Sequence, residues 1–359
     1  MKKICIAFNH LNAANGVARA AIGMANFLCN KMEVTLRPIF GFDKKILSLL
    51  DNRIIIKPLF GFYFRGFSKI VSLIPLRLIH DIVFGKDKYD TEVGFQYGIA
   101  TKAVVSHGKS NAKHIVWMHG YDEGLKLKKY YVKSDCVVCV SEANACRFKK
   151  EINNVVPSFC CYNLIDDNKI KELGKENIDI TRNASPLLIS VGRLSKEKGY
   201  KRLLEITNKL KQEKYNFQLW IIGDGPDKDE LLSIKETLQL DNVLFLGSHI
   251  NPHKYTSKAD IFICSSFSEG FSTACTEAVI LGIPVITTNV AGGEELIRIS
   301  QVGKLVGLDD DSLYIGIKEV LDNWEIVDTW KKTLTKTSTF FSYSKRCEYL
   351  DTILSNVLN

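Results

Sequence analysis

The sequence predicts an α/β protein built as two Rossmann-like domains whose parallel sheets face each other across a cleft. Three observations lead there. The chain has 359 residues, enough for two cores at roughly 150 residues per domain. Short β-branched runs alternate with helical patterns in both halves, the signature of parallel strands joined by crossover helices. Between the halves, residues 166–185 are polar, carry Gly174, Asn177 and Asn183, and hold no sustained apolar period, so a linker is expected there. The expected boundaries are 1–166, 167–340 and a C-terminal helix over 341–359.

In the first half, Met1, Lys2 and Lys3 precede an apolar run at 4–8. Asn9 and His10 end that run too early for the apolar core of a signal peptide, so it is expected to be a buried strand. Asn15 and Gly16 fall in the loop that follows, and Ala18, Ala21, Ile22, Ala25 and Leu28 mark a helix. Further strands are expected at 33–36, 91–95, 114–118 and 136–140. The stretch 60–84 differs, because aromatic and aliphatic residues are interspersed with Arg65, Lys69 and Arg77, and Pro75 breaks any single long helix. Such a segment suits either a bilayer interface or a helix packed on a sheet. In the second half, strands are expected at 186–191, 218–222, 242–246, 260–264, 284–287 and 304–306. Tyr349, Ile353 and Val357 recur at helical spacing near the C-terminus.

With 46% hydrophobic and 25% charged residues, disordered and fibrous classes are excluded. The net charge of +8 is unevenly spread: residues 1–170 carry 25 Lys/Arg against 14 Asp/Glu, the remainder 23 against 26. A basic half suits a polyanion, whether nucleic acid, an anionic membrane or a phosphorylated substrate. No run approaches the ~18 apolar residues that span a bilayer. The expected location is therefore the cytoplasm, with peripheral attachment to the inner face of the membrane as an open alternative. Ten cysteines without an export signal imply reduced thiols. Cys136 and Cys139 lie in an apolar run and lack a second ligand pair, so they read as strand packing and no metal site is expected.

The chemistry concentrates in two strand-to-helix junctions. At 268–278, SEGFSTACTEA places Glu269 in a loop and Glu277 in the following helix. A helix expected to start near Phe271 offers unpaired N–H groups and a positive dipole end between the two carboxylates. A nucleotide sugar matches that layout: its diphosphate meets the helix end, its hexose hydroxyls Glu269 and its ribose hydroxyls Glu277. At 191–199, VGRLSKEKG follows another strand and puts Arg193 and Lys198 in a loop at the same sheet edge. A departing nucleoside diphosphate gathers negative charge, which two fixed cations stabilise in place of a metal ion. Each residue also has a plainer reading, a solvated basic turn for Arg193 and Lys198 and a dipole-stabilising or solvated glutamate for Glu269 and Glu277. Asp227 and Asp229 have a metal-binding spacing but open a helix after Pro226, where acidic residues suit the dipole.

At this point the sequence resembles the family-4 retaining glycosyltransferases, of bacterial surface-polysaccharide type, which have the two-domain glycosyltransferase B fold. The resemblance lies in SVGRL at 190–194 with Lys198 and Gly199, IGDGP at 222–226, NVLFLG at 242–247, the pair Glu269 and Glu277, and GIPV at 282–285. It implies donor binding in the second domain and retention of anomeric configuration. It gives Arg193 and Lys198 the donor phosphates, Glu269 the sugar and Glu277 the ribose, with backbone amides of Gly270, Phe271 and Ser272 near sugar and phosphate. In the first half it is looser, resting on Gly16 after strand one and on His119 in VWMHGYD at 116–122. Members usually carry paired glycines in that first loop, whereas this chain has Gly16 alone. His119 is expected at the donor sugar or an acceptor hydroxyl, and the C-terminal helix is expected to return to the first domain.

The expected reaction moves a hexose or N-acetylhexosamine from a nucleotide-diphosphate sugar, with UDP favoured, to a saccharide or polyprenyl-diphosphate-linked glycan in surface polysaccharide synthesis. No cofactor and no metal are expected. The alternative is a nucleotide-sugar epimerase on the same two-domain fold. A nicotinamide oxidoreductase is disfavoured because no G-x-G-x-x-G follows a strand. A binding protein without turnover fits poorly with all four charged site residues present. Nucleic acid is not an expected partner, since no recognition motif accompanies the basic charge.

Overall fold

The computed structural model describes residues 1–11, 16–60, 67–71, 73–106, 110–120 and 128–358. Asn15, Arg65, Tyr121 and Asp122 lie outside these residues, as do the side chains of Lys69 and Arg77. The chain divides into two compact units, Met1–Ile165 with Arg346–Asn359, and Asp166–Lys345.

The first unit is built on a seven-stranded sheet of β1 (Lys3–Phe8), β2 (Glu33–Pro38), β3 (Ile55–Ile56), β4 (Thr91–Gly94), β5 (Lys113–Met118), β6 (Cys136–Cys139) and β7 (Ser158–Cys160). Their order is β3-β2-β1-β4-β5-β6-β7 and every pairing is parallel. The inner strands are nearly uniformly apolar because helices cover both faces of such a sheet. Cys136 and Cys139 are buried free thiols within this packing, held above pKa 9 at about 12 by burial. Pro75 separates the helices Phe67–Val71 and Leu76–Phe84, as its fixed φ requires.

The second unit carries β8 (Leu187–Val191), β9 (Gln218–Ile222), β10 (Val243–Gly247), β11 (Ile261–Cys264), β12 (Val285–Thr288) and β13 (Lys304–Val306). They form a six-stranded parallel sheet ordered β10-β9-β8-β11-β12-β13. Two parallel α/β sheets were predicted, and two are present. The expected linker is a different matter. Asp166 caps a helix, Asp167–Gly174, by accepting a hydrogen bond from the Lys169 N–H at 2.9 Å. Its buried face is little more than Ile170, too narrow a stripe to register as a helical period.

The C-terminal helix Tyr343–Leu358 has most of its length in the first unit. There the buried Arg346 donates to the Asn163 carbonyl at 3.0 Å, and Lys31 pairs with Asp351 at 2.6 Å.

Candidate active site

In an open parallel sheet, ligands bind at the carboxyl ends of the strands where the strand order reverses. In the second unit that point falls between β8 and β11. The loops leaving these two strands carry Arg193, Lys198 and Glu269, and glycine backbone keeps them packed together. Gly199 has φ +67°, and a Cβ there would lie 2.1 Å from the Ser265 carbonyl oxygen, so only glycine lets the β8 loop lie against the β11 loop. The Phe267 N–H donates to the Glu197 carbonyl at 2.8 Å, and Ser265 Oγ donates to the Lys198 carbonyl at 2.9 Å.

Across this junction Lys198 Nζ meets Glu269 Oε1 at 2.6 Å, although 71 residues separate them in sequence. Ser266 Oγ donates to the same oxygen at 2.7 Å. Both of these bonds fall on Oε1, and Oε2 makes no hydrogen bond among the described residues. The carboxylate is thus fixed in direction with one acceptor oxygen open. Burial works against the charge on Lys198, but the Glu269 charge and hydrogen bond outweigh it and hold the ammonium's pKa above its usual value. Arg193 sits in the same loop, exposed, and its guanidinium makes no hydrogen bond or ion pair among the described residues.

Gly270 and Phe271 are buried in the turn before the helix Thr273–Ile280. The helix starts two residues later than the sequence suggested. Ser272 is its cap, with Oγ accepting from the Cys275 N–H at 3.3 Å. The first-turn N–H groups have no intrahelical acceptor and present a partial positive charge to the sheet edge. Gly292, at φ +76°, keeps the loop after β12 tight against this turn, since a Cβ there would lie 2.6 Å from the Phe271 ring. Glu277 is the fifth helical residue, and its Oε2 lies 3.7 Å from Nδ1 of the buried His253.

Arg202 was not singled out by the sequence analysis. The structure makes it the clamp of the β11 loop. Its guanidinium is buried and donates to the carbonyls of Ser265 and Ser266, the latter at 2.9 Å, with Phe267 stacked on it at 3.7 Å. These bonds fix the backbone from which Ser266 and Glu269 project. Nothing in the local sequence separates Arg202 from Lys201 beside it.

In the first unit, Gly16 opens the helix Gly16–Leu28 after β1, and His119 lies just past β5. Both belong to the carboxyl edge of the seven-stranded sheet. His119 rests on Phe95 with ring centroids 4.4 Å apart, and its Nε2 is shielded from solvent without a hydrogen-bond partner among the described residues. Burial pushes its pKa down to about 3, so the imidazole is neutral at physiological pH.

Residues 175–337 match the family model for glycosyl transferases group 1. That match covers somewhat less than half of the chain. Every residue of the β8–β11 junction just described lies inside it. The chain is 31% identical to the N-acetylgalactosamine-N,N'-diacetylbacillosaminyl-diphospho-undecaprenol 4-alpha-N-acetylgalactosaminyltransferase of Campylobacter jejuni, over 58% of this chain and 57% of that enzyme. The match thus spans little more than half the length of that relative. It is 26% identical to the lipopolysaccharide core biosynthesis glycosyltransferase LpsE of Rhizobium meliloti, over 84% of each chain. Among solved structures, Anabaena HepE in complex with UDP-glucose superposes with a TM-score of 0.74 at 17% identity, covering 99% of this chain and 100% of that one. The likeness in structure covers the whole chain and shows its fold, the glycosyltransferase B fold.

Proposed function

We propose that this chain is a retaining glycosyltransferase that moves a hexose or N-acetylhexosamine from a UDP-sugar to a lipid-linked glycan during surface polysaccharide synthesis. One observation carries the reading: the Lys198–Glu269 pair at the strand-order reversal, with Glu269 Oε2 open, the helix Thr273–Ile280 beginning just after Glu269, and Arg193 exposed in the Lys198 loop. The open oxygen accepts a hexose hydroxyl. Arg193 and the helix end take the diphosphate, and Lys198 shifts toward it as the donor arrives. Glu277 takes the ribose hydroxyls.

In the transfer step the bond between the anomeric carbon and the diphosphate oxygen breaks. A bond to the acceptor oxygen forms on the same face of the sugar, and the acceptor proton passes to the departing phosphate oxygen. Arg193 and Lys198 stabilise the charge on the leaving group, so added Mg²⁺ or Mn²⁺ leaves the rate unchanged. The UDP-glucose complex of HepE supports a uridine donor. The diphospho-undecaprenol in the name of the Campylobacter jejuni relative supports a polyprenyl-diphosphate acceptor.

Such an acceptor lies in a membrane, and no helix among the described residues is long and apolar enough to cross one. The helices on either side of Pro75 expose Ile70, Leu78 and Ile82, and the turn between them exposes Leu73 at 81%. This patch supports peripheral attachment at the cytoplasmic face. Co-sedimentation with anionic vesicles at low salt checks it, and a chain that stays in solution removes the membrane claim alone. The transferase reading is tested by incubating the chain with a panel of UDP- and GDP-sugars. Release of the nucleoside diphosphate from a UDP-sugar supports it, and an inverted product or a sugar trapped covalently on an Asp or Glu contradicts it.

A further inference from the structure

The amino-terminal edge of the seven-stranded sheet, opposite the edge that carries Gly16 and His119, holds a second polar cluster. Glu92 and His114 are each the second residue of their strands, β4 and β5, and stand directly opposite in register. His80 reaches them from the helix Leu76–Phe84. All three are buried, at 6% exposure for His80, 2% for Glu92 and 4% for His114. His80 Nε2 lies 2.7 Å from Glu92 Oε2, and His114 Nε2 lies 3.3 Å from the same oxygen. The three ligand atoms fall within 4.8 Å of one another.

The outer nitrogens have carboxylates of their own. His80 Nδ1 is 3.3 Å from Asp81 Oδ1, and His114 Nδ1 is 3.5 Å from Asp135 Oδ2. All four imidazole nitrogens therefore face carboxylate oxygens, which only accept when ionised. A neutral imidazole has one N–H and one lone pair, so each ring can match one of its two carboxylates and must turn a lone pair on the other. A metal ion resolves the mismatch. With Nδ1–H donated outward to Asp81 and Asp135, both inner Nε2 lone pairs and Glu92 Oε2 converge on one point. This is the carboxylate–histidine–metal arrangement that orients imidazole ligands. Ser110 Oγ donates to the other Glu92 oxygen at 3.4 Å and steadies that carboxylate.

We propose that His80, Glu92 and His114 bind a divalent transition-metal ion, zinc by the chemistry of the ligand set. Two imidazoles and one carboxylate suit zinc, and ligand bonds of about 2.0–2.2 Å place tetrahedral ligand atoms about 3.3–3.5 Å apart. The His114–Glu92 contact already has that spacing, and the His80–Glu92 contact opens by roughly 0.6 Å to reach it. The three ligands join one helix to two neighbouring strands, so the ion ties that helix to the sheet and keeps its fourth position for water. It fixes the helix that exposes Leu78 and Ile82 to the sheet beneath. No residue of the donor site in the second unit takes part.

The test uses the full chain, stripped of metal and then titrated with Zn²⁺ alone against a competing chelator, and with Co²⁺ as a spectroscopic probe. The expected result is about one equivalent bound, with visible Co²⁺ bands of tetrahedral intensity and no thiolate charge-transfer band. Glu92→Gln is expected to weaken binding by at least about 100-fold, and the surface variants Asp81→Asn and Asp135→Asn by about 10- to 100-fold each. Circular dichroism checks each fold, and the surface variants keep the test decisive where Glu92→Gln does not fold. Three results overturn the proposal: no stoichiometric zinc, a thiolate charge-transfer band that assigns the ion to cysteines, or unchanged affinity in folded variants.

Discussion

The two sheets share one plan and differ at their carboxyl edges. In the second unit, the strands at the order reversal, β8 and β11, launch loops that bring Lys198 to Glu269 and leave Arg193 exposed. In the first unit the corresponding strands, β1 and β4, launch neutral polar loops that bond one another. The Asn9 N–H donates to Gln96 Oε1 at 2.8 Å, and Asn9 Nδ2 donates to the Tyr97 carbonyl at 2.6 Å. His119, one strand further on, is held neutral by burial. Topology therefore supplies a ligand edge in both units, and the side chains placed there decide what it suits. Fixed charge suits a sugar diphosphate, whereas neutral groups suit hydroxyls.

Removing charge from the second unit is expected to have the largest effect. Glu269→Ala and Lys198→Ala each abolish transfer while circular dichroism reports an unchanged fold. The scale is at least the 10²–10³ in kcat typical of one lost electrostatic contact. Full activity in either variant removes that residue from the site. Arg193→Ala is expected to lower kcat by about 10- to 100-fold, less because the side chain is exposed and solvent screens its charge.

Two smaller effects probe the frame and the other edge. Gly199→Ala forces the β8 loop off the Ser265 carbonyl and costs about 1–3 kcal/mol of stability, read as a lowered Tm with a lowered kcat. His119→Asn is expected to act on pH dependence. The folded-state pKa of about 3 lies below the ordinary 6.5, so the unfolded chain binds the extra proton first and stability falls as pH drops below about 6.5. The Asn variant loses part of that acid sensitivity in a denaturation series from pH 7 to 4. Unchanged acid sensitivity would mean that the His119 side chain is solvated.

The fold was legible because its strands are long enough to show a pattern. All six strands of the second unit lie where β-branched runs predict them, whereas β3 and β7 went unseen. With two and three residues, they are too short for a period to show, and β13, also of three residues, is legible only because it continues the alternating strand–helix series. Parts of the site follow another logic. Strand-to-helix junctions are visible in a sequence, so Arg193, Lys198, Glu269 and Glu277 could be singled out. That Lys198 occupies one oxygen of Glu269 and leaves the other open depends on the Gly199 approach and the Arg202 clamp, which are contacts across more than 60 residues. The cluster of His80, Glu92 and His114 has no local spacing at all. It comes from strand register, which one chain's sequence does not display.

In the proposed site, Glu269 reads the sugar while its neighbours hold the diphosphate. The most direct test of this assignment measures UDP affinity and UDP-sugar turnover together in the wild-type chain and in Glu269→Ala. Turnover by the wild type is expected, and loss of turnover in the variant with a Kd for UDP unchanged within a few-fold. A variant that turns over at the wild-type rate, or that loses UDP binding together with turnover, contradicts the assignment.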